Sequence, residues 1–145
     1  MNARKVAVFF YGSYMNLDVL EEVDLFPKEI QVARLMGFDI RIEPLANLIP
    51  AVDDSVCYGI LTSATHFELE RLYAHAREVL GGAYLPEPVM VGVSDGALVP
   101  TLCYIATEMQ PRPATNEYID RIVAPASAHG FPPWYIAKLE SFRPK

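Results

Sequence analysis

The sequence predicts an α+β fold: a mixed small β-barrel with one central helix and two short C-terminal helices, over a single domain spanning residues 1–145. Three observations lead there. Short β-prone apolar runs recur through the first half of the chain and again beyond residue 86. One long segment with helical periodicity, 66–80, opens on a capping box. Two further helical segments with prolines at their margins close the chain.

Val6–Phe10 is five apolar residues long, which suits a strand buried on both faces. Tyr11-Gly12-Ser13 interrupts it, and Asn16 then caps a short helix over Asn16–Val23 with acids in its first turns. A buried strand, a Gly-Ser turn and a helix N-terminus together bring backbone N–H groups to one point, a geometry that suits a carboxylate or another anion. The same pattern equally describes a core strand that ends in an ordinary turn.

Ile30–Leu35 and Phe38–Glu43 alternate apolar and polar residues, so they read as successive strands or one bent strand. Arg34, Asp39, Arg41 and Glu43 fall on the polar face of that pattern, as a solvated sheet surface requires. Ala46–Val52 carries Pro50, hence an edge strand or a loop. Ser55–Ala64 is a central strand in which Gly59 marks a bulge or a close approach of backbones.

Thr65 and Glu68 form the capping box of a helix from His66 to about Leu80, with Phe67, Leu69, Leu72, Ala76 and Val79 or Leu80 as its apolar stripe. Gly81-Gly82 stops it. Glu87–Val93 and Val99–Ala106 read as a hairpin around Ser94–Ala97. Thr115 or Asn116 caps a helix through Tyr118, Ile119, Ile122 and Val123, which Pro125 is expected to break or kink. Trp134–Leu139 begins the last helix.

Composition bounds the partners. A net charge of −6 argues against a nucleic-acid or anionic-membrane surface, since either wants a basic patch. Cys57 and Cys103 sit in apolar, strand-like runs and read as buried thiols of a reduced compartment, with no Cys or His pair at metal-ligand spacing. Met1–Lys5 followed by Val6–Phe10 mimics a secretory leader, but the apolar run is too short for one. The expectation is a cytoplasmic, soluble protein with no membrane segment, of undetermined oligomeric state.

Tyr11-Gly12-Ser13 resembles the Tyr-Gly-Ser-Asn signature of the γ-glutamylcyclotransferase-like superfamily, with Tyr14 standing where that family has Asn. Further along, Val56–Leu61 resembles its Val-x-Gly-x-Leu strand, and Thr101–Ile105 loosely resembles its Ala-x-x-Tyr strand. Tyr118 to Leu139 follows its C-terminal order, with Phe131 for a Leu and Ala124-Pro125 for a small pair. The resemblance implies a cofactor-free enzyme acting on a small γ-glutamyl compound. The substrate's own α-amine attacks its γ-carbonyl, giving 5-oxoproline and a free amine, with one carboxylate as base and then acid. It also implies that Tyr11, Gly12, Ser13 and Tyr14 hold the substrate.

The family's base is a Glu in a Glu-Gly-x-x-Tyr motif after the central helix. Here Gly81 and Tyr84 keep the Gly-x-x-Tyr spacing, while Val79 and Leu80 separate Glu78 from the glycine. Glu78 is the candidate acid/base, with Tyr84 as a further substrate contact. Its place in the last helical turn, facing the negative end of the helix dipole, would raise its pKa toward what a base needs. Glu87 is a second candidate, though Pro86 and Pro88 flank it at the opening of an edge strand, and Glu68 and Glu70 lie too early. His75, three residues before Glu78, is a conceivable partner to it; His66 and His129 have no evident role, and Tyr118 and Tyr135 are core or pocket aromatics. The rival reading from another class is a non-catalytic protein of the same fold that binds a small anionic or amino-acid-like ligand, or a partner protein.

Overall fold

The computed structural model describes residues 4–145; Met1–Ala3 of the N-terminal basic stretch lie outside them. The elements run β1 (Lys5–Phe10), a 3-10 turn (Ser13–Met15), α1 (Leu17–Glu21), β2 (Gln31–Met36), β3 (Phe38–Ile42), β4 (Ala46–Pro50) and β5 (Val56–Thr65). After these come α2 (His66–His75), a π turn (Ala76–Leu80), β6 (Tyr84–Val93), β7 (Leu98–Ala106), α3 (Asn116–Ala128) and α4 (Pro133–Glu140).

Five strands curl into a barrel in the order β1-β5-β2-β6-β7, as the α+β reading expects. β5 organises it, because its ten residues can pair along both edges. Lys5↔Thr65 to Phe10↔Ile60 join it to β1, and Gln31↔Leu61 to Met36↔Val56 join it to β2. Gly59 is where backbones approach: a Cβ there would lie 2.4 Å from the Phe10 carbonyl oxygen and 2.6 Å from the Phe9 ring. The barrel closes loosely, through Ala33↔Val93 and Arg34↔Gly92 between β2 and β6.

β6 starts earlier than its apolar pattern predicts, at Tyr84, and takes in Pro86 and Pro88. The two prolines are two residues apart, so their missing N–H groups fall on one edge, and they lie in the stretch of β6 ahead of Gly92 and Val93, where β2 does not pair with it. β3 does not continue β2. Gly37 turns the chain out of the barrel, and β3 pairs with β4 alone, Phe38↔Pro50 to Ile42↔Ala46, as a separate hairpin. Tertiary clamps hold that hairpin. Asn47 donates from Nδ2 to the Ala106 carbonyl and accepts from the Ala106 N–H, each at 2.9 Å, and Lys138 of α4 pairs with Asp39.

The capping box of α2 is present, with Glu68 N–H on Thr65 Oγ1 at 3.0 Å and Thr65 N–H on Glu68 Oε1 at 2.9 Å. The stripe it buries is narrower than expected. Leu69, Leu72 and Ala76 are inaccessible to solvent, whereas Phe67 and Val79 are 70% and 67% exposed. Gly81, at φ 87°, ends the π turn in the left-handed region.

α3 is not broken at Pro125, as the sequence allowed, but continues through it to Ala128. Proline at that position leaves the Arg121 carbonyl without its i+4 donor, and Asn16 Nδ2 supplies one from across the fold at 3.2 Å. The Asn16 side chain at the same time accepts from Asp18 N–H at 3.0 Å, capping α1 as its sequence position predicts.

Candidate functional site

β1 is buried from Val8 to Phe10 and delivers the chain into Tyr11, Gly12 and the 3-10 turn. A narrow cavity of about 30 Å³ opens beside this turn. Tyr11, Gly12, Ser13 and Tyr14 line it from one side, Tyr73, Ala76 and Leu80 from α2 and the π turn, and Ala46, Tyr84, Tyr104 and Tyr118 from the remaining elements. Five of the six sequence-expected residues therefore come together at one point.

Glu78 does not. It is exposed and takes no part in the lining. The reason is helical phase: Ala76 and Leu80 face the cavity, and a residue two positions from each projects from the opposite side. Val79 and Leu80, the pair between Glu78 and Gly81, put an aliphatic side chain against the cavity directly before the glycine. The lining residues contain no carboxylate, imidazole or amine. Glu87 is exposed on β6, and neither Glu68 nor Glu70 reaches the site.

Six tyrosines line the site. Tyr11 donates to the Tyr104 carbonyl at 2.6 Å and Tyr14 to the Leu72 carbonyl at 3.2 Å, with His75 Nδ1 a further 3.5 Å neighbour of the Tyr14 hydroxyl. Tyr84 donates to the Ala46 carbonyl, and Tyr118 Oη accepts the Ala46 N–H at 2.9 Å. Both main-chain groups of Ala46 are thus held by the rings that line the site. Tyr73 stacks on Tyr104 at 3.7 Å and meets Tyr14 edge-on at 5.5 Å. Withdrawal from water holds the phenols of Tyr11, Tyr73 and Tyr84 well above their ordinary pKa and raises those of Tyr14, Tyr104 and Tyr118; hydrogen bonds with the Ala46 N–H and then with Ser13 draw Tyr118 partly back. All six are neutral near pH 7.

Tyr11, Tyr14 and Tyr84 donate their hydroxyl hydrogens to main-chain carbonyls, which leaves oxygen lone pairs and ring faces toward the cavity. The site is therefore rich in electron density and poor in acid/base capacity. Sequence reasoning passed over Ala46, Tyr73 and Tyr104. Tyr73 sits in the helix one turn from Ala76, where an aromatic reads as core, and Tyr104 lies inside the β-prone run Thr101–Ile105, where an aromatic carries no separate signal. Tyr135, by contrast, is fully buried in the core, 3.6 Å from Cys57 Sγ. Among the described residues, no three His, Cys, Asp or Glu side chains are placed to hold a metal, and no helix is long and apolar enough to cross a membrane.

Barrel, hairpin and C-terminal helices define the γ-glutamylcyclotransferase-like fold. A structure described as a γ-glutamyl cyclotransferase aligns over 98% of this chain and 90% of its own, with a TM-score of 0.77 and 22% identity. An uncharacterized Homo sapiens protein aligns over 97% and 89%, with a TM-score of 0.83 and 21% identity. A yeast γ-glutamyl cyclotransferase specific to glutathione aligns over 97% and 96%, at 0.66 and 15%. At these identities the likeness is one of fold. No protein-family model matches the sequence, and no curated protein does either.

Proposed function

We propose that this chain is a small-ligand-binding protein of the cyclotransferase-like fold, which receives an amine or amino-acid-like head group in its tyrosine-lined cavity. The observation that carries the reading is the lining itself, with six neutral tyrosines and no ionisable acid or base near neutral pH. A single-carboxylate cyclisation needs that carboxylate within hydrogen-bond reach of the attacking amine. Glu78 on the outer surface does not meet the requirement. An ammonium, in contrast, is attracted by tyrosine faces and can donate to the free phenol lone pairs. A cavity of about 30 Å³ has room for one or two waters, hence for a head group rather than a whole ligand. Two free buried thiols agree with a cytoplasmic setting for such a protein.

A second reading is favoured by the fold neighbours described as cyclotransferases: conversion of a γ-glutamyl compound to 5-oxoproline. One pair of measurements separates the two. Methylammonium and acetate are titrated into the labelled protein while the amide signals of Gly12, Ser13 and Tyr84 are followed. The same preparation is then assayed for 5-oxoproline release from a panel of γ-glutamyl amines and peptides. The binding reading expects shifts with methylammonium, weaker ones with acetate, and no 5-oxoproline. Acetate as the tighter ligand would sink it, as would catalytic release of 5-oxoproline.

A further inference from the structure

The tyrosine cavity is too small for a whole ligand, so whatever enters it must continue outward. On the far side of Leu80 lies a broad open groove of about 850 Å³. Leu80 belongs to the lining of both spaces, and Leu45 of the groove directly precedes Ala46 of the cavity. The groove has an apolar stretch in Pro44, Leu45, Leu80 and Met109. It also carries two charged side chains, Glu108 and Arg112. Both are exposed, and neither enters an ion pair among the described residues.

Resting on the binding reading above, we infer that the groove is a second compartment of the same site, and that Arg112 receives the carboxylate of a ligand about as long as a dipeptide. The ligand's amine lies in the tyrosine cavity, its apolar middle passes over Leu80, and its carboxylate reaches the guanidinium. Charge decides the direction of entry. The inner cavity offers acceptors and ring faces to a cation, whereas the free guanidinium lies outside and presents five donors to an anion. Glu108 works against that anion, so the compartment is tuned by two opposed charges. Arg112 and Glu108 set specificity here and do no chemistry.

The test uses glycyl-leucine and glycyl-leucinamide, which share an amine and an apolar side chain and differ in the terminal carboxylate. Dissociation constants are measured by calorimetry at low salt for the wild type, Arg112→Gln and Glu108→Gln. Both substitutions lie on the exposed surface, so the fold should tolerate them. The free acid should bind the wild type about three- to five-fold more tightly than the amide, the range expected of an exposed ion pair. Arg112→Gln should bring the ratio to about one, and Glu108→Gln should widen it. A ratio near one in the wild type, or a ratio unchanged by Arg112→Gln, overturns the second compartment while leaving the inner cavity standing. If neither peptide binds although methylammonium does, the link across Leu80 is refuted. If methylammonium does not bind either, the tyrosine cavity itself has been misread.

Discussion

Gly12 and Ala46 meet across the tyrosine cavity so closely that a Cβ on Gly12 would stand 2.7 Å from the Ala46 Cβ. The next contact of that Cβ would be Tyr118 Oη at 3.8 Å. Ala46 cannot retreat freely, since its N–H and C=O are held by Tyr118 and Tyr84. Gly12→Ala should therefore push the β3–β4 hairpin outward, costing about 1–3 kcal/mol of stability and weakening methylammonium binding at least ten-fold. Denaturant unfolding and the same titration check both. An unaltered midpoint together with unaltered binding would mean that the hairpin is not locked to the turn.

Tyr84→Phe removes the donor to the Ala46 carbonyl while keeping the ring. A buried carbonyl that loses its partner costs about 1–3 kcal/mol. Hydrogen exchange should quicken at Ala46–Leu48 and stay unchanged in β5. Uniform acceleration everywhere would show a global rather than a local effect.

Asn16 does two jobs, accepting from Asp18 N–H and donating to the Arg121 carbonyl. Asn16→Asp preserves the acceptor and removes the donor; Asn16→Ala removes both. We expect the alanine variant to lose about 1–2 kcal/mol and the aspartate variant a loss of similar size, because a carboxylate would face the Arg121 carbonyl. Equal stability of wild type and Asn16→Asp would show that the carbonyl freed by Pro125 is satisfied in another way.

Glu78→Gln should leave stability within about 0.5 kcal/mol, as for other exposed positions, and should not alter ligand binding. Leu80→Glu is the informative counterpart, because it places a carboxylate directly before Gly81 with Tyr84 four residues on, and beside the cavity. Its burial should raise its pKa. Detectable 5-oxoproline release from a γ-glutamyl amine is expected in that variant alone. Loss of binding in Glu78→Gln would return that residue to the site.

Stability should fall on the alkaline side. Burial pushes the Cys57 thiol up to about 12, and the phenols of Tyr11, Tyr73 and Tyr84 are raised as well, so the folded chain keeps protons that the unfolded chain releases. For groups raised in this way, their contribution is whole below the unfolded pKa and lost as pH climbs toward the folded one. Unfolding free energy should hold level up to about pH 8, where unfolded thiols begin to ionise, and decline above it. A thiol reagent at pH 8 should label Cys57 and Cys103 only on unfolding. Rapid labelling of the native protein would contradict the burial of both.

Local signals carried much of this fold. The apolar run Val6–Phe10, the Thr65–Glu68 capping box, the Gly81 stop and the hairpin turn at Ser94–Ala97 each act within a few residues, so composition and spacing suffice to read them. The Tyr11-Gly12-Ser13 turn was legible in the same way, and it is where the cavity lies. Tertiary structure decided what depends on long-range neighbours. The Arg121 carbonyl that Pro125 frees is taken up by Asn16, 105 residues away along the chain. β3 leaves the barrel because Asn47 and Lys138 hold its hairpin elsewhere. The side of the helix end that meets the cavity was likewise beyond the sequence, since the widening of the π turn over Ala76–Leu80 sets the phase. That phase brings Leu80 inward and sends Glu78 to solvent.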